Sequence, residues 1–268
     1  MKKVLFTLTV LLLVAAFGIS AFMVGSYLIN TKKQEELSND LSQIVADAQA
    51  KPRETQPAAT PEETTRVTET AEEGGMLPGY KEIYEMNNDT VGWIKIPGTE
   101  LDYPVLQTPN SPDYYLYRDF LKAESKQGAI YAREVCDVNE PSDNITIYGH
   151  NMANGSMFAA LNAYAGKDNR DYWEQHSLIF FDTLTEYHTY KIFAVFETSA
   201  NIGQGFSYHK FVDAANEQEF NDFVKTCKDL SDYDTGITPV YGDKLICLST
   251  CEYSQENGRL VVAAVRIT

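Results

Sequence analysis

Between Val4 and Ile29 the chain is almost wholly apolar, interrupted only by Thr, Ser, Gly and one Tyr. No other stretch limits the possible folds so strongly. As a helix it would be roughly 39 Å long at 1.5 Å per residue, more than the ~30 Å hydrocarbon core of a bilayer. A signal-peptide core is shorter, about 7–15 apolar residues ending at a small-X-small site. Gly18 and Ser20 could supply such a site, so cleavage is the second reading and an uncleaved membrane anchor the first. Lys2 and Lys3 nearly balance Lys32 and Lys33 across the run, so charge does not fix its orientation.

The segment that follows changes character twice. From Lys32 to Ala50, Leu37, Leu41, Ile44, Val45 and Ala48 recur at helical spacing, which predicts a juxtamembrane helix with one apolar stripe. Lys51 to Gly75 is rich in Glu, Thr and Pro and nearly free of large apolar residues. Such a composition cannot repay the entropy of folding, and predicts a disordered acidic linker. A leash and a linker of no set length both fit it. The expected organisation is an anchor at 1–31, helix and linker at 32–76, and a folded domain at 77–268.

In that domain, strands are predicted at Val91–Ile96, Leu101–Leu106, Ala129–Ala132, Asn144–Tyr148, Leu178–Asp182, Thr189–Phe196, Leu245–Thr250 and Leu260–Ile267. Pro97-Gly98 marks a turn between the first two. Short helices are expected at Gly79–Met86, Ser156–Tyr164 and Asn216–Leu230. In the last, Phe220, Phe223, Val224 and Cys227 follow the 3,4 spacing of an amphipathic face. The fold class is mainly β, and strand count alone allows a barrel or a sandwich. A formal charge of −16 argues against nucleic acid as a partner, since nucleic-acid binders carry a basic stripe. Four cysteines are too few for a disulfide scaffold, although a Cys136–Cys227 bridge remains open. The four histidines and the cysteines show no close metal-ligand spacing, so no metal and no other cofactor is expected.

Two places carry chemistry. Leu245–Thr250 leads to Cys251, a polar loop follows at Ser254–Gly258, and Arg259 opens the final strand. This is a β-hairpin pattern. With the loop centred near Gln255, Cys251 and Arg259 oppose each other and project to one face. A guanidinium beside a thiol favours thiolate and can stabilise an oxyanion formed next to the sulfur. The plainer reading of the hairpin alone is a half-buried strand cysteine near a surface arginine. The second place is His150, just past the predicted strand Asn144–Tyr148, where loops on a rigid scaffold display acid–base groups. Cys and His distant in sequence are the usual layout of a nucleophilic cysteine.

Tyr148-Gly149-His150-Asn151-Met152 with Gly155-Ser156-Met157-Phe158, and Leu248-Ser249-Thr250-Cys251 with Arg259, resemble the two signature blocks of class B sortases. Asp89-Thr90-Val91-Gly92-Trp93-Ile94 and Leu101-Asp102-Tyr103-Pro104-Val105 resemble the opening of the same catalytic domain. The resemblance runs from about Leu77 to the C-terminus, with the blocks in the family's order. One position departs: the signature usually begins with Thr, and Cys247 stands there, which reads as a packing substitution.

The resemblance implies an eight-stranded sortase-type β-barrel with peripheral helices, behind a transmembrane helix and linker. It also implies a cysteine transpeptidase on the outer side of the cell membrane, anchored by a single pass. Its partners would be exported proteins bearing a C-terminal sorting signal of Asn-Pro-X-Thr type, cleaved after Thr, and a lipid-linked peptidoglycan precursor offering the acceptor amine. Cys251 would be the nucleophile, His150 the general acid and then base, and Arg259 the oxyanion or backbone donor. Tyr148, Ser249, Leu116, Phe206 and Tyr208 are candidates for the substrate groove, each equally readable as packing. A pilin lysine as acceptor, plain hydrolysis by a cysteine peptidase, and a catalytically silent binding module are the competing readings.

Overall fold

The computed structural model describes residues 2–50, 75–201, 203–252 and 257–268. The chain divides into two compact units, one ending at Asp40 and one running from Leu41 to Thr268. Helix α1 spans Lys2–Ala50. The helix expected from Lys32 is therefore continuous with the apolar run before it, for a simple reason: no proline occurs before Pro52. Large apolar side chains of the first unit are exposed, among them Leu12 at 71 % and Phe17 at 76 %. In the second unit the end of α1 is packed: Leu41 and Val45 are buried, and the Ser42 hydroxyl donates to the Asp102 carbonyl at 3.2 Å. The linker expected at Lys51–Gly75 lies, Gly75 excepted, outside the described residues.

Eight strands make the second unit: β1 Thr90–Lys95, β2 Asp102–Leu106, β3 Tyr131–Ala132, β4 Asn144–Tyr148, β5 Leu178–Thr183, β6 Thr189–Ser199, β7 Leu245–Glu252 and β8 Gly258–Arg266. They close into a barrel in the order β1-β2-β3-β4-β7-β8-β6-β5, which decides between barrel and sandwich. Pairing is antiparallel except between β2 and β3 and between β4 and β7. Short helices α2 (Tyr80–Met86), α3 (Arg170–Gln175) and α4 (Glu217–Leu230) lie around it. Phe158–Tyr164, predicted as part of a helix, is a 3₁₀ turn.

The wall carries apolar side chains on both faces along β6, β7 and β8. Ile246 and Leu248 of β7, with Leu260, Val262 and Ala264 of β8, fill the barrel interior beside Ile145 and Ile147 of β4. Their neighbours Leu245, Cys247, Val261, Ala263 and Val265 point outward into a second core closed by Phe220, Phe223, Val224 and Cys227 of α4. A strand buried on both faces reads as a continuous apolar run, not as an alternation. That is why Leu260–Val265 shows no period of two. Asn216 caps α4 by accepting from the Glu219 amide at 3.1 Å, an N-cap arrangement that satisfies one otherwise orphaned donor.

Candidate active site

Strands β7 and β8 and the loop after β4 carry the sequence-predicted trio. β7 and β8 pair with Cys251 opposite Arg259, the register expected from a loop centred on Gln255. β4 and β7 pair in parallel with Tyr148 opposite Ser249, and the Gly149 amide extends that ladder to the Ser249 carbonyl at 3.2 Å. Past the end of β4, the loop carrying His150 is held to β7 at Cys251, whose carbonyl accepts from Asn151 Nδ2 at 2.9 Å. Neighbouring strands lie about 4.8 Å apart, so Cys251 and Arg259 are adjacent across the sheet, with the loop that carries His150 on the other side of β7.

Cys251 and Arg259 also share a face. Side chains alternate along a strand, and Leu248 and Leu260 point inward, so Ser249, Cys251 and Arg259 point outward. Tyr148, next to inward-facing Ile147, does the same. Cys251 and Arg259 thus lie on the outer face of the barrel wall. His150, Cys251 and Arg259 are each half-buried.

His150 is oriented by the main chain. Its Nε2 lies 2.7 Å from the Leu116 carbonyl oxygen. A carbonyl can only accept, so Nε2 carries a proton and Nδ1 is the nitrogen left to exchange one. Gly128 makes room for that carbonyl: at φ +61°, a Cβ there would sit 2.6 Å from the Leu116 oxygen and 3.1 Å from His150 Cδ2. Tyr117, 62 % exposed, holds its ring centroid 5.8 Å from that of His150. The Thr250 hydroxyl donates to the Gly149 carbonyl at 2.8 Å, tying the strand of Cys251 to the loop of His150. None of these contacts was predicted from sequence. Leu116 was singled out as a groove residue, but its carbonyl, common to every residue type, carries no sequence signal.

Arg259 donates from Nη1 to the Gly258 carbonyl at 2.9 Å and to the Asn257 carbonyl at 3.5 Å. Among the described residues no carboxylate forms an ion pair with it. A guanidinium has five N–H donors, so donors remain for a further acceptor such as a developing oxyanion.

The other groove candidates divide. Tyr208 and Ser249 are buried, spend their hydroxyls on each other at 2.5 Å and leave little surface for a ligand. Burial, first, and then lesser influences, including the charges of Cys247 and Cys251, push the Tyr208 phenol up to about 12, against the lowering effect of Ser249 and Arg259. Phe206 packs on Phe196 and Phe223 at the edge of the second core. Tyr148 stands beside Tyr131, ring centroids 5.4 Å apart, and remains half-buried, as does Leu116. The four cysteines are all free thiols, which closes the question of a Cys136–Cys227 bridge.

The chain is similar to known proteins along most of its length. A family model described as the sortase domain matches residues 94–267. The chain is 30 % identical over 262 residues to sortase B of Listeria monocytogenes, covering 96 % of this chain and 95 % of that protein. A solved Staphylococcus aureus sortase B-substrate complex superposes with a TM-score of 0.73 at 25 % identity, over 90 % of this chain and 99 % of that one. A sortase B structure complexed with triglycine gives 0.72 at 25 % identity, over 89 % and 99 %.

Proposed function

Since the chain belongs to the sortase family, and within it to class B, and is accordingly a cysteine transpeptidase acting on sorting signals, we propose that it is anchored in the membrane by α1 and joins exported proteins to peptidoglycan. The signal cleaved is of Asn-Pro-X-Thr type, and the acceptor is an amine of a lipid-linked precursor. The catalytic domain faces outward, where both substrates are. The exposed apolar side chains of α1 support the anchor, because a surface that continuous and apolar is covered by something other than water. The observation that carries the catalytic reading is that Cys251 opposes Arg259 across β7 and β8, while the loop after β4 that carries His150 is tied to β7 through Gly149, Thr250 and the Cys251 carbonyl.

The chemistry follows from those positions. The Cys251 thiol passes its proton to Nδ1 of His150 as the sulfur attacks the carbonyl carbon of the signal's threonine, and the negative charge formed on its oxygen is held by the Arg259 guanidinium. As the carbon–nitrogen bond to the next residue breaks, His150 gives the leaving amine a proton from Nδ1. The product is a thioester on Cys251, which divides one difficult exchange into two easier ones. An incoming amine then attacks the thioester, gives a proton back to Nδ1, and releases the sulfur. The substrate and the triglycine named for the two sortase B structures support a peptide acyl donor and an amine acceptor.

The test is turnover of a labelled peptide containing an Asn-Pro-X-Thr segment by the full chain in detergent, with and without triglycine. Cleavage after Thr with an amide product whenever triglycine is present supports transpeptidation. A free acid in the same yield with and without the amine makes the protein a hydrolase. Mass spectrometry of the product linked in cells separates a peptidoglycan amine from a pilin lysine.

A further inference from the structure

Resting on the assignment of Cys251 as nucleophile, we propose that Asn151 is a positioning residue, whose carboxamide fixes the backbone of Cys251 relative to His150. β4 ends at Tyr148, and its ladder reaches only the Ser249 carbonyl through the Gly149 amide. The next carbonyl on that side of β7 belongs to Cys251, since carbonyls alternate along a strand. In an unbroken parallel ladder the main-chain amide of residue 151 would meet it. Here the donor is the Asn151 side chain instead: Nδ2 lies 2.9 Å from the Cys251 oxygen.

That side chain has its orientation imposed by a second carboxamide. Asn151 Nδ2 also donates to Asn162 Oδ1 at 3.1 Å, and Asn162 Nδ2 donates to Asn151 Oδ1 at 2.8 Å and to the Ala159 carbonyl at 3.0 Å. Flipping Asn151 would set its oxygen against two acceptors, the Cys251 carbonyl and Asn162 Oδ1. Asn162 itself sits on the 3₁₀ turn Phe158–Tyr164, where Phe158, Leu161 and Tyr164 are wholly buried. The same turn holds the histidine, because the Phe158 amide donates to the His150 carbonyl at 2.9 Å. One core-packed turn therefore fixes His150 directly and Cys251 through the two asparagines. Without it the nucleophile would stand at a strand end, with its spacing from the imidazole less restrained.

The brace is tested with full-length Asn151→Ala, Asn151→Asp and Asn162→Ala variants and the double alanine variant, in two measurements. The first needs no substrate: hydrogen exchange in a peptide covering 247–252 should rise by roughly tenfold in Asn151→Ala while exchange in β1, β5 and α4 stays as in wild type, a local opening without global unfolding. Unchanged exchange overturns the brace whatever the substrate is. The second is turnover of the sorting peptide. A displacement of about 1 Å can cost about 10²-fold, so Asn151→Ala should lower kcat by about that factor, with KM within about twofold. Asn151→Asp, which has no amide hydrogen to donate, should do no better. Asn162→Ala should lose less, and should add nothing in the Asn151→Ala background, because the two act as a unit. A kcat for Asn151→Ala within twofold of wild type, or additive losses, contradicts the positioning role. If wild type fails to turn over the peptide at all, the assignment of function falls, and hydrogen exchange still decides the brace.

Discussion

Cys247 and Cys251 stand four residues apart on the same outward face of one strand, yet their surroundings differ completely. Cys247 is fully buried in the second core beneath α4. Burial first, and then the charge of Cys136, push its thiol far above the usual range for cysteine. Cys251 is half-buried, beside a guanidinium-bearing strand and a histidine-bearing loop. Between them lies Ser249, capped by Tyr208. The cover over β7 stops there, and the groove begins where it stops. Thiolate character and access decide cysteine reactivity, so here the tertiary cover separates a packing thiol from the proposed nucleophile. The residue identity and the strand are common to both.

The sharpest way to break this contrast is to remove each thiol in turn. Cys251→Ala should abolish formation of the amide product, a loss on the order of 10⁶-fold, as when a catalytic nucleophile is deleted. Cys247→Ala should keep kcat within about twofold and cost about 1 kcal/mol of stability, the scale of one small buried group. Activity in the first variant, or its absence in a folded form of the second, would reverse the assignment. Next in size is Arg259→Ala, which should lower kcat by about 10²–10³-fold as loss of an oxyanion donor does; a rise in KM alone would make Arg259 a binding residue. Gly128→Ala should follow, lowering kcat by roughly tenfold or more through displacement of the Leu116 carbonyl that holds His150. Steady-state kinetics with the melting temperature as control checks both.

The smallest effect extends the same rule to another buried group. His188 is buried with Nδ1 unbonded; burial first, then the charge of Arg266, hold its pKa below the usual value, against Glu186 and a backbone hydrogen bond. The unfolded chain therefore binds a proton more readily than the folded one. Its contribution to stability is fully present above the unfolded pKa of about 6.5 and is lost as pH falls through the lower folded value. Denaturant midpoints of wild type should decline below about pH 6.5 more steeply than those of His188→Gln. Parallel profiles for the two proteins would show that burial does not govern this group.

How much of this was readable beforehand depends on whether side chains or main chain carry the information. The Cys251–Arg259 register was legible because a hairpin loop leaves little freedom: the two residues are equidistant from Gln255. The apolar face of α4 was legible from Phe220, Phe223, Val224 and Cys227, though nothing local told which strands it would cover. For that reason Tyr208 and Ser249 read as groove residues when they are buried against each other. Barrel closure was not legible from strand count, since β3 contributes only Tyr131–Ala132 and closure is decided by long-range pairing. The orientation of His150 was invisible because its partner is a carbonyl, and the support of Cys251 was hidden because a side-chain amide stands in for a ladder bond.

The central claim is that Cys251 carries the acyl group. Intact-mass measurement of the full chain mixed with sorting peptide in the absence of amine, followed by peptide mapping, tests it directly. The account predicts an adduct equal to the acyl portion ending in threonine, located on Cys251, absent from Cys251→Ala and discharged when triglycine is added. An adduct on any other residue, or amide product formed by Cys251→Ala, would contradict it.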